Sequence, residues 1–189
     1  MKFFSKLATS ALTGLAALGF ASSAFAQGPK IQEGSIAAHA ALISAIQRAG
    51  VNVIINDPYC DESWSGVMGF YAGKERALVV CQDNRVDGDP TPVEWTENDL
   101  DTLRHEAQHF IQDCMIGTNH DHRLYPVYRT PIEYAQSVLG DEALREIASV
   151  YRGNGASDET VILEFEAFAV AATNKPLEQA QDVRNYCGG

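Results

Sequence analysis

Positive charge is scarce in this chain. Lysine and arginine together number 14 against 25 aspartates and glutamates, a formal net charge of −11. A surface of that sign repels phosphate backbones and anionic headgroups, which argues against nucleic acid and membrane surfaces as partners and suits a neutral or cationic polypeptide better. Long apolar runs are missing as well: the one near the N-terminus falls short of the roughly 20 residues that a spanning helix needs. Residues 27–189 contain no internal repeat and no low-complexity segment. Cysteine is limited to Cys60, Cys81, Cys114 and Cys187, and no two of them stand in C-x-x-C spacing. Neither a dithiol redox motif nor a thiolate zinc site is therefore expected.

The apolar run near the start has the shape of an export leader. Lys2 and Lys6 form a positive beginning, Leu7 to Phe20 a short hydrophobic stretch, and Ala24-Phe25-Ala26 the small residues a signal peptidase requires. Cleavage after residue 26 removes two lysines and no acid, leaving 163 residues of net charge −13, enough for one domain with its own core. A secreted or periplasmic monomer without membrane attachment is the expectation. In an oxidising compartment four cysteines point to two disulfides, for which three connectivities exist. Proximity along the chain suggests Cys60 with Cys81 and Cys114 with Cys187.

Periodicity predicts an alanine-rich helix from Ile31 to Arg48, stopped by Gly50, and then strands at Val51–Ile55, Val67–Ala72 and Ala77–Cys81. Residues 82–93, with two prolines and a glycine, read as a loop. Thr96 and Asp99 can then form a reciprocal cap, with Trp95 stapled onto Leu100, opening a helix that runs to about Ile116. Four more helices follow: Ile132–Leu139, Glu142–Tyr151, Asp158–Thr173 behind a Ser157 cap, and Leu177–Tyr186 behind Pro176.

Inside the Thr96-capped helix stands His105-Glu106-Ala107-Gln108-His109, an H-E-x-x-H pattern. Helical positions i and i+4 lie one above the other, so both imidazoles can close on one divalent cation with the Glu106 carboxylate beside it. Leu100, Leu103, Ala107, Phe110 and Ile111 form the core stripe of the same helix, and His105 and His109 share a neighbouring face with Gln112.

Catalytic zinc takes three protein ligands and keeps a fourth position open. A third histidine in the extended pattern H-E-x-x-H-x-x-G-x-x-H is ruled out, because Gln112 and Met115 hold the glycine and final histidine positions. The later segment Leu163-Glu164-Phe165-Glu166-Ala167-Phe168-Ala169 sets two acids in an apolar run. A carboxylate there is costly unless something such as a cation repays its desolvation. Glu164 and Glu166 point to nearly opposite sides of a helix, so only one can reach the metal.

With these two motifs the chain resembles the zincin metallopeptidases of the glutamate-ligand (gluzincin) type, in which a later helix carries E-x-x-A and its first glutamate completes the metal site. The resemblance covers roughly residues 97–174. It implies that Glu164 is the third ligand, and it departs at Phe168, where many members place an aspartate. It also implies an α+β fold built as a minimal zincin-like domain: an N-terminal helix and small β-sheet, the H-E-x-x-H helix, and a mainly helical C-terminal half. The activity implied is peptide-bond hydrolysis with one Zn2+ per chain on His105, His109 and Glu164, and Glu106 as general base. His120, His122, Tyr125 and Tyr128, in the polar and aromatic stretch after the metal helix, are candidate oxyanion or substrate contacts. Two other classes compete. A non-catalytic secreted zinc-binding module would explain the ligands but has no need of Glu106, and a disulfide-stapled inhibitor or binding module would leave the histidines idle.

Overall fold

The computed structural model describes residues 15–18, 33–61, 67–116 and 123–188. Helix α1 (Glu33–Arg48) ends at Gly50, which takes the left-handed φ of 85° that turns the chain directly into β2 (Asn52–Ile55). Strands β3 (Val67–Ala72) and β4 (Ala77–Val80) form a hairpin paired from Gly69 opposite Val80 to Ala72 opposite Ala77, and β2 runs parallel to β4 on its other side. All four β4 residues are buried, as suits a central strand, whereas β3 alternates between buried and half-buried positions. A short strand β1 (Leu15–Leu18) pairs antiparallel with the outer edge of β3, giving the order β1-β3-β4-β2. These four residues belong to the stretch read as a leader; its remaining residues, 1–14 and 19–26, lie outside the described ones.

The expected cap opens α2 (Glu97–Cys114). Thr96 Oγ1 accepts from the Asp99 amide at 3.1 Å, and Asp99 Oδ2 accepts from the Thr96 amide at 2.8 Å. The other Asp99 oxygen accepts from the Asp83 amide, which ties the start of α2 to the end of the sheet. A capping arrangement of this kind stabilises by about 1 kcal/mol. It also sets the register in which the rest of the helix meets its neighbours.

Behind α2 come α3 (Pro131–Gly153), α4 (Asp158–Ala172) and α5 (Pro176–Tyr186). The two helices expected before residue 153 are the two halves of α3, interrupted by the non-helical Gly140. Ser157 caps α4 through the Thr160 amide, and Pro176 occupies the first turn of α5. Helix α2 touches β3 and β4 as well as α4 and α5, and α1 packs on α5. The main core gathers Leu42, Ile46, Leu78, Leu103, Phe110 and Ile111 between sheet and helices, and a second cluster around Leu144, Ile147 and Phe165 joins α3 to α4. Full burial of each such side chain contributes about 1.5–3 kcal/mol.

Both disulfides match the pairing suggested by proximity: Cys60–Cys81 and Cys114–Cys187. The second ties the end of α2 to the residue that follows α5. No helix among the described residues is long and apolar enough to cross a membrane. Two disulfides fit an oxidising, non-cytoplasmic setting.

Candidate metal centre

Fifteen of the 18 residues of α2 are buried, and nine of those are polar or charged. Polar groups inside a domain must find partners or cost several kcal/mol. Some of them serve the scaffold. Buried Arg104 donates to the Ala171 carbonyl at the end of α4, and its own carbonyl accepts from Gln179 of α5, so α2 is fastened to both helices beside the histidines.

His105 and His109 lie one turn apart, with their Nε2 atoms 3.1 Å from each other. Glu164, on α4, completes a triangle: Oε2 stands 3.2 Å from His105 Nε2 and Oε1 stands 3.4 Å from His109 Nε2. All three residues are buried, and Glu164 and His109 have no exposed surface at all. Among the described residues, neither Glu164 oxygen accepts a conventional hydrogen bond apart from these imidazole contacts. Atoms at the corners of a tetrahedron about 2.05 Å from an ion stand about 3.3 Å apart, which is close to all three separations. The group can therefore hold a metal ion.

The electrostatics point the same way. Burial alone would push the Glu164 carboxyl up, but the charge of His109 and the hydrogen bonds from both imidazoles outweigh it and hold the group at about 2. Burial alone would likewise depress His109, yet the facing Glu164 carboxylate raises it to about 9. A proton thus does the work that a cation could do between these groups.

Glu166, the rival ligand, is buried on another side of α4 and is satisfied without a cation. Its Oε1 accepts from Gln108 Nε2 at 2.9 Å, Gln112 Nε2 at 3.0 Å and the Val127 amide at 3.0 Å, while Oε2 accepts from the Tyr128 amide at 3.0 Å. Four neutral donors offset the desolvation of this carboxylate. The two acids that look alike in sequence therefore have opposite needs.

The imidazoles differ as well. His109 Nδ1 lies 2.8 Å from Gln112 Oε1, whereas His105 Nδ1 has no hydrogen-bond partner among the described residues. The ring of Phe168, one turn beyond Glu164, stands edge-on to His105 with centroids 4.4 Å apart. At the position where many zincins of this type carry an aspartate, an apolar ring thus packs against this imidazole.

Glu106 is fully buried and contributes to the field on His109. It faces β3 at Gly69, where a side chain could not fit: a Cβ there would lie 2.6 Å from Thr102 Cγ2 and from the Val79 carbonyl, and 3.4 Å from Glu106 Cγ. Of the candidate contacts beyond α2, His120 and His122 fall outside the described residues. Tyr128 is partly exposed and stacks on Tyr134 with centroids 3.8 Å apart, and the Tyr125 amide donates to the Gln112 carbonyl. Burial is the first reason that the Tyr128 hydroxyl is pushed to a higher pKa, with Tyr134 adding to it. Sequence reasoning placed Gln112 on the face of the two histidines without giving it a role, and passed over Gly69 and the anchoring role of Glu166. Only Gln112 carried a signal, three residues after His109 and on the same helical face.

A family described as Domain of unknown function (DUF8637) matches residues 33–187. The chain belongs to that family. The match takes in α1, the β2–β4 sheet, α2, the triad that could hold a metal ion and both disulfides, so the centre lies within the family domain. No curated protein and no solved structure matches the chain.

Proposed function

We propose that this DUF8637 domain is an exported zinc-dependent peptidase. The observation that carries this reading is the buried triangle of His105, His109 and Glu164, with contacts of 3.1–3.4 Å, on a helix that also holds Glu106. A zinc ion held there would supply Lewis-acid polarisation of a scissile carbonyl and acidify water beside it. Glu106 is the proton acceptor of the set: its carboxylate receives the proton of the attacking water and delivers it to the leaving amine. Gly69 keeps the β3 side of Glu106 free of side-chain bulk. A polypeptide is the substrate class because β3 has an edge that pairs with extended chain; with the leader stretch present, Leu15–Leu18 lies along it antiparallel. Removal of the leader would leave that edge to another strand.

The test combines metal analysis with one substitution. The mature protein should hold about one zinc per chain, and His105→Ala and His109→Ala should lose it. Glu106→Gln should keep zinc and fold while losing most chelator-sensitive hydrolysis of an unstructured polypeptide, since base catalysis contributes about 10²–10⁴-fold. Hydrolysis that survives unchanged in Glu106→Gln would refute the mechanism.

One observation favours a second reading, a non-catalytic zinc-binding module: His105, Glu106, His109 and Glu164 are all buried, with at most 2% of their surface exposed. A closed centre of that kind predicts zinc without hydrolysis over a broad peptide library, and a Glu106→Gln protein that differs from wild type only in local charge.

A further inference from the structure

Gln112 can be oriented in only one way. Its side-chain nitrogen reaches two groups that can only accept, the Leu163 carbonyl at 3.1 Å and Glu166 Oε1 at 3.0 Å. Its side-chain oxygen is therefore the atom that faces His109 Nδ1 at 2.8 Å, so Nδ1 must carry a hydrogen and donate it. The lone pair for a metal is then confined to Nε2, the atom that faces His105 and Glu164. The polarity of this chain begins at Glu166, whose carboxylate accepts at every contact and also accepts the Val127 and Tyr128 amides.

We propose that Glu166 is the positioning residue of the metal centre. Through Gln112 it fixes the tautomer and ring orientation of His109, and with the same carboxylate it fastens the 127–128 backbone to α4. This rests on the metal-site reading above. It assigns the polar partner of one ligand histidine to a Gln–Glu pair, while the other histidine has Phe168 in place of a partner. Outer-shell partners of this kind are worth about 10–100-fold in metal affinity.

The test uses two substitutions on the mature protein and three measurements: zinc affinity by chelator competition, hydrogen exchange at the Val127 and Tyr128 amides, and the His109 Nδ1 proton by NMR. Glu166→Gln keeps the shape but turns an amide NH2 toward donors, so zinc affinity should fall about 10–100-fold and both amides should exchange faster. Gln112→Asn shortens the relay but leaves Glu166 its backbone donors. It should lower affinity over the same range with little change at the two amides. Faster exchange in Glu166→Gln with affinity within about threefold of wild type would mean that Glu166 merely fastens a loop, and would overturn the proposal. Unchanged affinity in Gln112→Asn would overturn it equally. If the wild type binds no zinc, the metal-site reading fails by itself. The relay is then decided in metal-free protein: the His109 Nδ1 proton should be exchange-protected in wild type and lose protection in Gln112→Asn, and an unprotected wild-type proton would overturn it.

Discussion

Gly69 on β3 and Glu106 on α2 are held together by the absence of a side chain: a Cβ at position 69 would lie 3.4 Å from Glu106 Cγ and only 2.6 Å from Thr102 Cγ2 and the Val79 carbonyl. Strand and helix could not approach this closely with any other residue at 69. Gly69→Ala should therefore cost about 1–3 kcal/mol, the range for overpacking a closed interior. It should reduce hydrolysis more than zinc affinity, because the ligands lie on the α4 side. Chemical denaturation checks the first effect; a Gly69→Ala protein as stable as wild type would show that the contact is slack.

Metal binding should release protons. Without a cation, the Glu164 carboxylate holds His109 at about 9, so at pH 7.5 this imidazole is protonated and must become neutral to act as a ligand. Calorimetry of zinc binding in buffers of different ionisation enthalpy should show about one proton released from His109, and zinc affinity should rise with pH up to about 9. The sign for the metal-free fold is the reverse. A His109 value raised above 6.5 stabilises most below pH 6.5, and this contribution is lost as pH rises towards about 9. Binding enthalpies identical in all buffers would contradict the coupled pair.

His39 should sense acid. It is buried on α1, its Nδ1 lies 2.5 Å from the Ser35 carbonyl, and its Nε2 lies 2.6 Å from Arg104 Nη1. Nδ1 therefore donates and Nε2 accepts from the guanidinium, an arrangement open only to the neutral ring. Burial, with the Arg104 charge against it, lowers its pKa below 6.5. The stability linked to His39 is present above pH 6.5 and is lost as pH falls from there towards the lowered folded value, with a slope of at most about 1.4 kcal/mol per pH unit. Urea titrations of wild type and His39→Gln from pH 7 to 5 should show a steeper loss in wild type; parallel curves would remove His39 as the cause.

The two disulfides should differ in weight. Cys114–Cys187 spans 73 residues and Cys60–Cys81 spans 21, so chain-entropy reasoning assigns them about 4 and about 3 kcal/mol. Cys114→Ser with Cys187→Ser should lower stability more than the other double substitution. It should also loosen α5 from the end of the helix that carries both histidines. Peptide mapping under non-reducing conditions checks the pairing, and equal losses in the two double variants would count against the entropic account.

Much of this architecture could be read locally. The Thr96–Asp99 cap, the Ser157 cap, the break at Gly140, the first-turn Pro176 and the strands β2, β3 and β4 are decided by residues within a few positions of one another. Their energetics survive without knowledge of the fold. The stacking of His105 over His109 belongs to the same class, since helical geometry alone places i above i+4.

The choice between Glu164 and Glu166 was of a different kind. Both are acids in one apolar run, and nothing within that run separates them; the resemblance singled out Glu164, and the packing of α4 on α2 turns it to the two imidazoles while Glu166 meets two glutamines and two backbone amides. Gln112, Gly69 and the sheet order also depend on residues that approach from distant parts of the chain. The sequence by itself determined the helices, the strands β2, β3 and β4 and the spacing of the two histidines on α2, because those follow from short-range sterics and periodicity, whereas β1 lies in the stretch read as a leader. Only the tertiary structure decided which buried carboxylate meets the two imidazoles and which holds the frame, because a buried charge is governed by its neighbours in space.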